Sequence, residues 1–169
     1  MKQDYLSSSK VLQSVNWTIH SKKTMGYKSF EDTGENMKIN QILMPIKPQY
    51  AYLILEGKKK YEYRKQRCKR DIDCMVIYAT SPVKKVVGEV EVLNIIEDTP
   101  EKLWEMTKES AGVNQGAYED YFNGKALAVA YMLGDVIRYE KALSELSIDY
   151  VPQSYVYLEE DRKKKQQKP

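Results

Sequence analysis

Between Lys85 and Ile96 the chain reads KVVGEVEVLNII, twelve residues in which β-branched side chains alternate with a glycine and with charged residues. That period of two marks a strand: Val86, Gly88, Val90 and Val92 fall on one face, and Val87, Glu89, Glu91 and Leu93 on the other. A strand this long, with a glycine inside it, bends there; a bulge or kink at Gly88 is what a sheet needs to curl into a barrel. The neighbouring segments supply partners. Ile42–Ile46 is a short apolar strand, Tyr61–Lys65 alternates, and Cys74–Ala79 is continuously apolar, hence buried on both faces. Ala126–Leu133 sets Leu127, Val129, Tyr131 and Leu133 against small residues that suit the inside of a tight curve, and Val136–Tyr139 adds a further strand. The Pro152–Leu158 stretch reads as ordered again.

Helices enter at two points. Pro48 fits a first helical turn, and Gly57 is a natural residue just past a helix end. Thr99 followed by Pro100 is an N-cap with a proline at the first helical position, leading into Leu103, Trp104 and Met106. Tyr118, Tyr121 and Phe122 repeat at helical spacing before Asn123-Gly124. Together with Trp104 these aromatics read as core rather than stacking platforms. The expected fold is α+β, a small β-barrel of five or six strands with two or three helices.

At 169 residues this is one domain with trimmings. Residues 1–38 are polar, with Trp17 and Ile19 as the only strong apolar anchors, and read as a flexible or packed-on extension; 39–158 form the domain, and 159–169 a charged, disordered tail. No apolar run reaches the ~20 residues of a membrane span, and no signal-peptide core opens the chain, so no membrane association and a cytoplasmic location are expected. Two cysteines, Cys68 and Cys74, do not make a disulfide scaffold; Cys74, opening an apolar strand, reads as a buried thiol. The single histidine, His20, lies far from them, which disfavours zinc, and no metal or other cofactor is expected.

The net charge is only +3, but it is unevenly placed. Residues Gly57–Arg70 read GKKKYEYRKQRCKR, with eight cations and one carboxylate, Glu62, among fourteen residues. A local cluster on an ordered element suits an anion site better than a whole-surface coat.

These residues resemble a known family. Ile46-Lys47-Pro48-Gln49-Tyr50, then Gly57-Lys58-Lys59 leading to Tyr61-Glu62-Tyr63-Arg64, is similar to the ASCH domain of the PUA-like superfamily, whose hallmark is a glycine, a nearby lysine, then a glutamate, an aromatic and an arginine. Tyr78–Pro82 with Val87-Gly88-Glu89 resembles the family's next strand pair, and Pro152–Tyr155 with Leu158 resembles the closing segment of one bacterial and phage subgroup. The resemblance implies a PUA-like barrel that binds RNA or a modified base in a cleft beside the lysine–glutamate–arginine strand. Some relatives are enzymes, amidohydrolases of acetylated cytidine or ribonucleases; where those amidohydrolases carry a threonine three residues after the lysine, this chain has Glu62. Gln153 and Ser154 become candidate binding residues through the resemblance alone.

Residue chemistry is consistent with such a cleft. Alternation puts Tyr61 and Tyr63 on one face, packed into the barrel or under the first helix, and Glu62 and Arg64 on the other. Arg64 offers a fork of donors for phosphate or a base carbonyl, Glu62 accepts from an exocyclic amine, and Lys59 reaches a phosphate or carbonyl oxygen. A flipped or single-stranded base exposes those edges. The competing reading is a plain Glu62–Arg64 ion pair at a barrel rim, contributing ~0–1 kcal/mol. Lys65, Arg67, Lys69 and Arg70 are either a solvated loop or a phosphate-tracking patch, and Ser81 and Thr80 are turn residues able to lend hydroxyls. With no histidine in the domain, a hydrolase would have to act through Lys59 and Glu62. The functional expectation is a nucleic-acid-binding module for RNA or a modified base in a single strand, with a small hydrolase as the alternative and a partner-binding adaptor as a third class.

Overall fold

The computed structural model describes residues 40–143 and 151–158. The extension 1–38, with His20, and the tail 159–169 lie outside the described residues. Among these, six strands and three α-helices follow one another as β1 (Gln41–Ile46), α1 (Pro48–Leu55), β2 (Tyr61–Arg64), β3 (Cys74–Ala79), β4 (Lys85–Asp98), α2 (Pro100–Thr107), α3 (Gln115–Phe122), β5 (Ala128–Leu143) and β6 (Val156–Leu158), with a 3₁₀ turn at Lys108–Ser110. The sheet order is β2-β5-β4-β3-β1-β6. β1 and β3 are parallel and the other neighbours antiparallel. Three strands separate β2 from β1 in that order, yet Arg64 Nη2 on β2 donates to the Pro45 carbonyl on β1 at 2.7 Å. The sheet therefore curls into a half-barrel, the α+β architecture expected.

The curl begins where the glycine predicts it. The β3–β4 register slips at Ile77/Tyr78 and the β4–β5 register between Val86 and Gly88. A Cβ on Gly88 would stand 2.4 Å from the Ile137 carbonyl and 2.6 Å from Leu55 Cδ2, so the backbones meet at a distance only glycine permits. The bulge also corrects the face assignment. Val87, Val90 and Val92 lie in the inner core, whereas Val86 packs with Leu43, Val76 and Leu158 on the opposite face. One extra residue in a strand moves every side chain before it to the other side.

β5 corrects a second expectation. Ala126–Leu133 and Val136–Tyr139 are not separate strands but parts of one sixteen-residue strand. Gly134, between those two expected strands, marks a close approach: a Cβ there would meet Glu91 Oε2 at 2.6 Å and Leu93 at 3.0 Å. Nor do the small residues face the interior. Val129, Tyr131 and Leu133 fill the inner core against α1, while Ala128 and Ala130 face outward, making room for Leu103, Tyr118 and Phe122 of the α2–α3 excursion.

α1 is bounded as its sequence dictates. Pro48 opens it, and Gly57 (φ 69°) closes it with Gly57 N–H donating to Ile54 and Lys58 N–H to Leu53. Its buried Ala51, Ile54 and Leu55 seat it on the sheet, each large side chain contributing ~1.5–3 kcal/mol. The loop after β2 is anchored by two apolar side chains while its cations Lys65, Arg67, Lys69 and Arg70 stay exposed. Cys68 and Ile72 are core residues; Tyr131 Oη accepts from the Cys68 N–H at 2.8 Å and donates to Cys68 Sγ at 3.0 Å. Both cysteines are buried thiols, Cys74 as expected. No helix among the described residues is long and apolar enough to cross a membrane.

Candidate nucleic-acid site

Where β1 runs into α1, facing β2 and α3, the fold leaves a cavity of about 790 Å³. That lies in the range of ligand sites, ~300–1,000 Å³. Four cations (Lys47, Lys59, Arg64, Lys65) and two carboxylates (Glu62, Asp120) line it, so its charge is positive.

The floor is built from two buried charges, Lys59 and Glu62, and the half-buried Arg64. Lys59 is 3% exposed and Glu62 6%. Glu62 offers one carboxylate oxygen to each neighbour: Oε1 lies 3.1 Å from Arg64 Nη2, and Oε2 3.8 Å from Lys59 Nζ. This is no exposed rim pair. Buried charges are retained against a desolvation cost of several kcal/mol per ion, met here by further bonds. Lys59 Nζ donates to the Ala111 carbonyl at 2.8 Å and sits 4.6 Å from the Tyr63 ring centroid and 5.5 Å from that of Tyr50. Burial pushes the Lys59 ammonium below the ordinary lysine range; Glu62 opposes that shift and Arg64 adds to it. Arg64 Nε is buried without a hydrogen-bond partner.

Glu62 and Arg64 share a side as alternation requires, but the tyrosines do not pack inside the barrel or under α1. Tyr63 meets Tyr118 edge-on at 4.9 Å beneath α2 and α3, and its hydroxyl donates to Thr107 Oγ1 at 2.8 Å. Burial raises the Tyr63 phenol to about 12. Thr107 in turn donates to the Leu103 carbonyl at 2.6 Å, fastening β2 to α2.

The ASCH domain model matches residues 44–141, more than half of the chain. The chain belongs to the ASCH domain family. Over 96 residues it is 31% identical to the ASCH domain-containing ribonuclease of Zymomonas mobilis, covering 56% of this chain and 65% of that protein. It thus spans just under two thirds of that relative's length. The crystal structure of ASCH from the same organism superposes with a TM-score of 0.66 at 28% identity, covering 70% of this chain and 87% of that one. A tyrosine-to-phenylalanine variant of it gives 0.66 at 27%, covering 70% and 90%.

Within this ASCH domain the cavity gathers some sequence candidates and leaves others out. Lys59, Glu62, Arg64, Lys65 and Gln153 line it; Arg67, Ser81 and Ser154 do not. Arg67 pairs with Asp71 at 2.7 Å, and Arg70 stacks on Tyr157 at 3.7 Å. Thr80 lines the cavity where Ser81 faces solvent. Sequence reasoning missed the aromatic wall. Tyr118 and Phe122 are core as expected, but Tyr121, one turn from Tyr118, is 38% exposed, borders the cavity and has Lys65 Nζ 4.8 Å from its ring centroid. No sequence signal set it apart, since it shares i, i+3, i+4 spacing with the buried Tyr118 and Phe122. Tyr50, in the first turn after Pro48, lines the cavity as well, together with the rings of Tyr63 and Tyr118. Among the described residues no group of three or more His, Cys, Asp or Glu is arranged to hold a metal ion.

Proposed function

We propose that this ASCH domain protein binds single-stranded RNA by drawing one nucleotide into the cavity beside β2. Lys59 and Arg64 hold a phosphate or base-carbonyl oxygen at the floor, Glu62 keeps the two cations apart and aligned, and the base stacks on Tyr121 with Lys65, Gln153 and Thr80 at the rim. The observation that carries the reading is the Lys59–Glu62–Arg64 trio, its first two members buried and Arg64 half-buried, opening into a positive cavity with an exposed aromatic edge. Base–aromatic stacking is worth ~1–3 kcal/mol, and phosphate contacts make binding fall with salt.

Fluorescence anisotropy with labelled single-stranded RNA tests this. Arg64→Ala should lose most of the affinity, and Tyr121→Ala should lose about ten- to a hundredfold at unchanged circular dichroism. RNA duplex should compete poorly, because its base edges are covered. Wild-type affinity in both variants would sink the reading.

A second reading, cleavage of the bound strand, is favoured by the relative named as a ribonuclease and by the depressed Lys59 ammonium. A lysine more acidic than usual is a better proton donor to a departing oxygen. In that reaction the 2′-oxygen bonds to phosphorus, its proton passing to solvent. The phosphorus–5′-oxygen bond breaks, and the leaving oxygen takes the Lys59 proton. The products are a 2′,3′-cyclic phosphate and a 5′-hydroxyl. End-labelled RNA should yield such ends with wild type and none with Lys59→Ala, and DNA, lacking the 2′-hydroxyl, should stay intact. Binding without products would leave the protein a binding module.

A further inference from the structure

Between α2 and α3 the chain passes through Ser110, Ala111 and Gly112, none of which the sequence singles out, and there it closes on the start of β2. The Ser110 carbonyl accepts the Lys60 N–H at 2.9 Å. The next carbonyl, on buried Ala111, accepts from Lys59 Nζ at 2.8 Å. The next residue, Gly112, has φ 64° and lies flat against the lysine stem. A Cβ there would stand 2.5 Å from Lys59 Cβ, 2.7 Å from Cγ and 3.1 Å from Cα. Separations under 3 Å to a residue's own stem are not relieved by swinging the far end of a flexible side chain. Three successive residues thus hold backbone, ammonium and stem of the 59–60 segment.

A lysine side chain is a flexible tether and defines a position only when its surroundings do. We propose that Gly112 is a positioning residue: the Ser110–Gly112 turn clamps Lys59 so that its ammonium is held at the cavity floor beside Glu62 and Arg64. The functional meaning of the clamp rests on the RNA-binding reading above; the clamp itself rests on the contacts. A glycine required only for its backbone conformation could be replaced by asparagine, which tolerates positive φ. A clamping glycine could not, because asparagine carries the Cβ that collides with Lys59.

The decisive variant is Gly112→Asn, studied with labelled single-stranded RNA across a salt series. The expected result is a folded protein whose plot of log affinity against log salt is shallower by about 0.7, the share of one lost phosphate contact on a single strand. Adding Lys59→Ala to that variant should change nothing further. A wild-type slope, or a full additional loss with Lys59→Ala, overturns the clamp; a merely weakened fold would lower the active fraction and leave the slope alone. Should wild type fail to bind RNA, the functional reading falls, and NMR titration of the Lys59 amine decides the clamp separately. Its midpoint should lie below that of ordinary lysine in wild type and move back toward it in Gly112→Asn; an unmoved midpoint overturns the proposal. If Gly112→Asn does not fold, Lys59→Gly, which removes the colliding Cβ and Cγ, should restore folding to it, and failure to do so counts equally against the clamp.

Discussion

At the scale of single residues the candidate site rests on how Lys59 is buried. Burial depresses its folded-state pKa below the 10.5 of an exposed lysine. Between those two values the unfolded chain holds more protons than the folded one, so this residue's contribution to stability rises with pH across that window. Chemical unfolding of wild type and Lys59→Met from neutral pH to 10.5 should therefore show the difference moving in favour of wild type as pH climbs; a flat or opposite trend would mean the ammonium is not desolvated. Lys59, Glu62 and Arg64 could be singled out in the chain as a lone carboxylate among cations on and just before a four-residue strand, although a plain ion pair fitted the same residues until the family resemblance was added. Tyr121 and Gly112 could not. Tyr121 shares its helical spacing with two buried aromatics and only tertiary packing separates them, and Gly112's neighbour is 53 positions away along the chain.

Elements show the same division. β4 and its bend at Gly88 follow from alternation and one glycine, but which valines enter the core depended on the bulge, and a period of two cannot report its own interruption. Gly88→Ala forces a methyl against the Ile137 carbonyl and Leu55. It should destabilise by ~1–3 kcal/mol as an overpacked site, lowering the melting temperature by roughly 2–4 °C per kcal/mol for a chain of this size; an unchanged melting curve would contradict the close approach. The bond between β2 and α2 offers a second check. Thr107→Val removes the acceptor of Tyr63 and leaves its hydroxyl buried without a partner, costing ~1–3 kcal/mol. Guanidinium unfolding measures it, and a neutral effect would show that packing alone seats α2. The split reading of β5 failed for a related reason: Gly134 and Asp135 have the composition of a turn, but the strand runs on through them, with Gly134 against the Glu91 and Leu93 side chains of β4.

For the whole molecule, tyrosine sets the alkaline limit. Burial raises Tyr63 and Tyr155 to about 12, and Tyr118, Tyr121, Tyr131 and Tyr139 also move upward from 10.0. Folded pKa values above unfolded ones mean a contribution fully present below pH 10 and lost as pH rises through the folded values. Unfolding midpoints should drop between pH 10 and 12, with the phenolate signals of Tyr118 and Tyr131, assigned by NMR, appearing together with the loss of structure; either of those two ionising in a still-folded protein would refute the burial of its ring.

Arg64 ties the curl together with its 2.7 Å bond to the Pro45 carbonyl, and both residues are walls of the cavity. The cavity is therefore whole only while that seam is shut. An occupant resting on both walls acts as a glue across it, because whatever binds the closed form alone subtracts from the open population. Recognition and breathing become one equilibrium: amide hydrogens of β2 should exchange more slowly with ligand bound, including those that the ligand never touches.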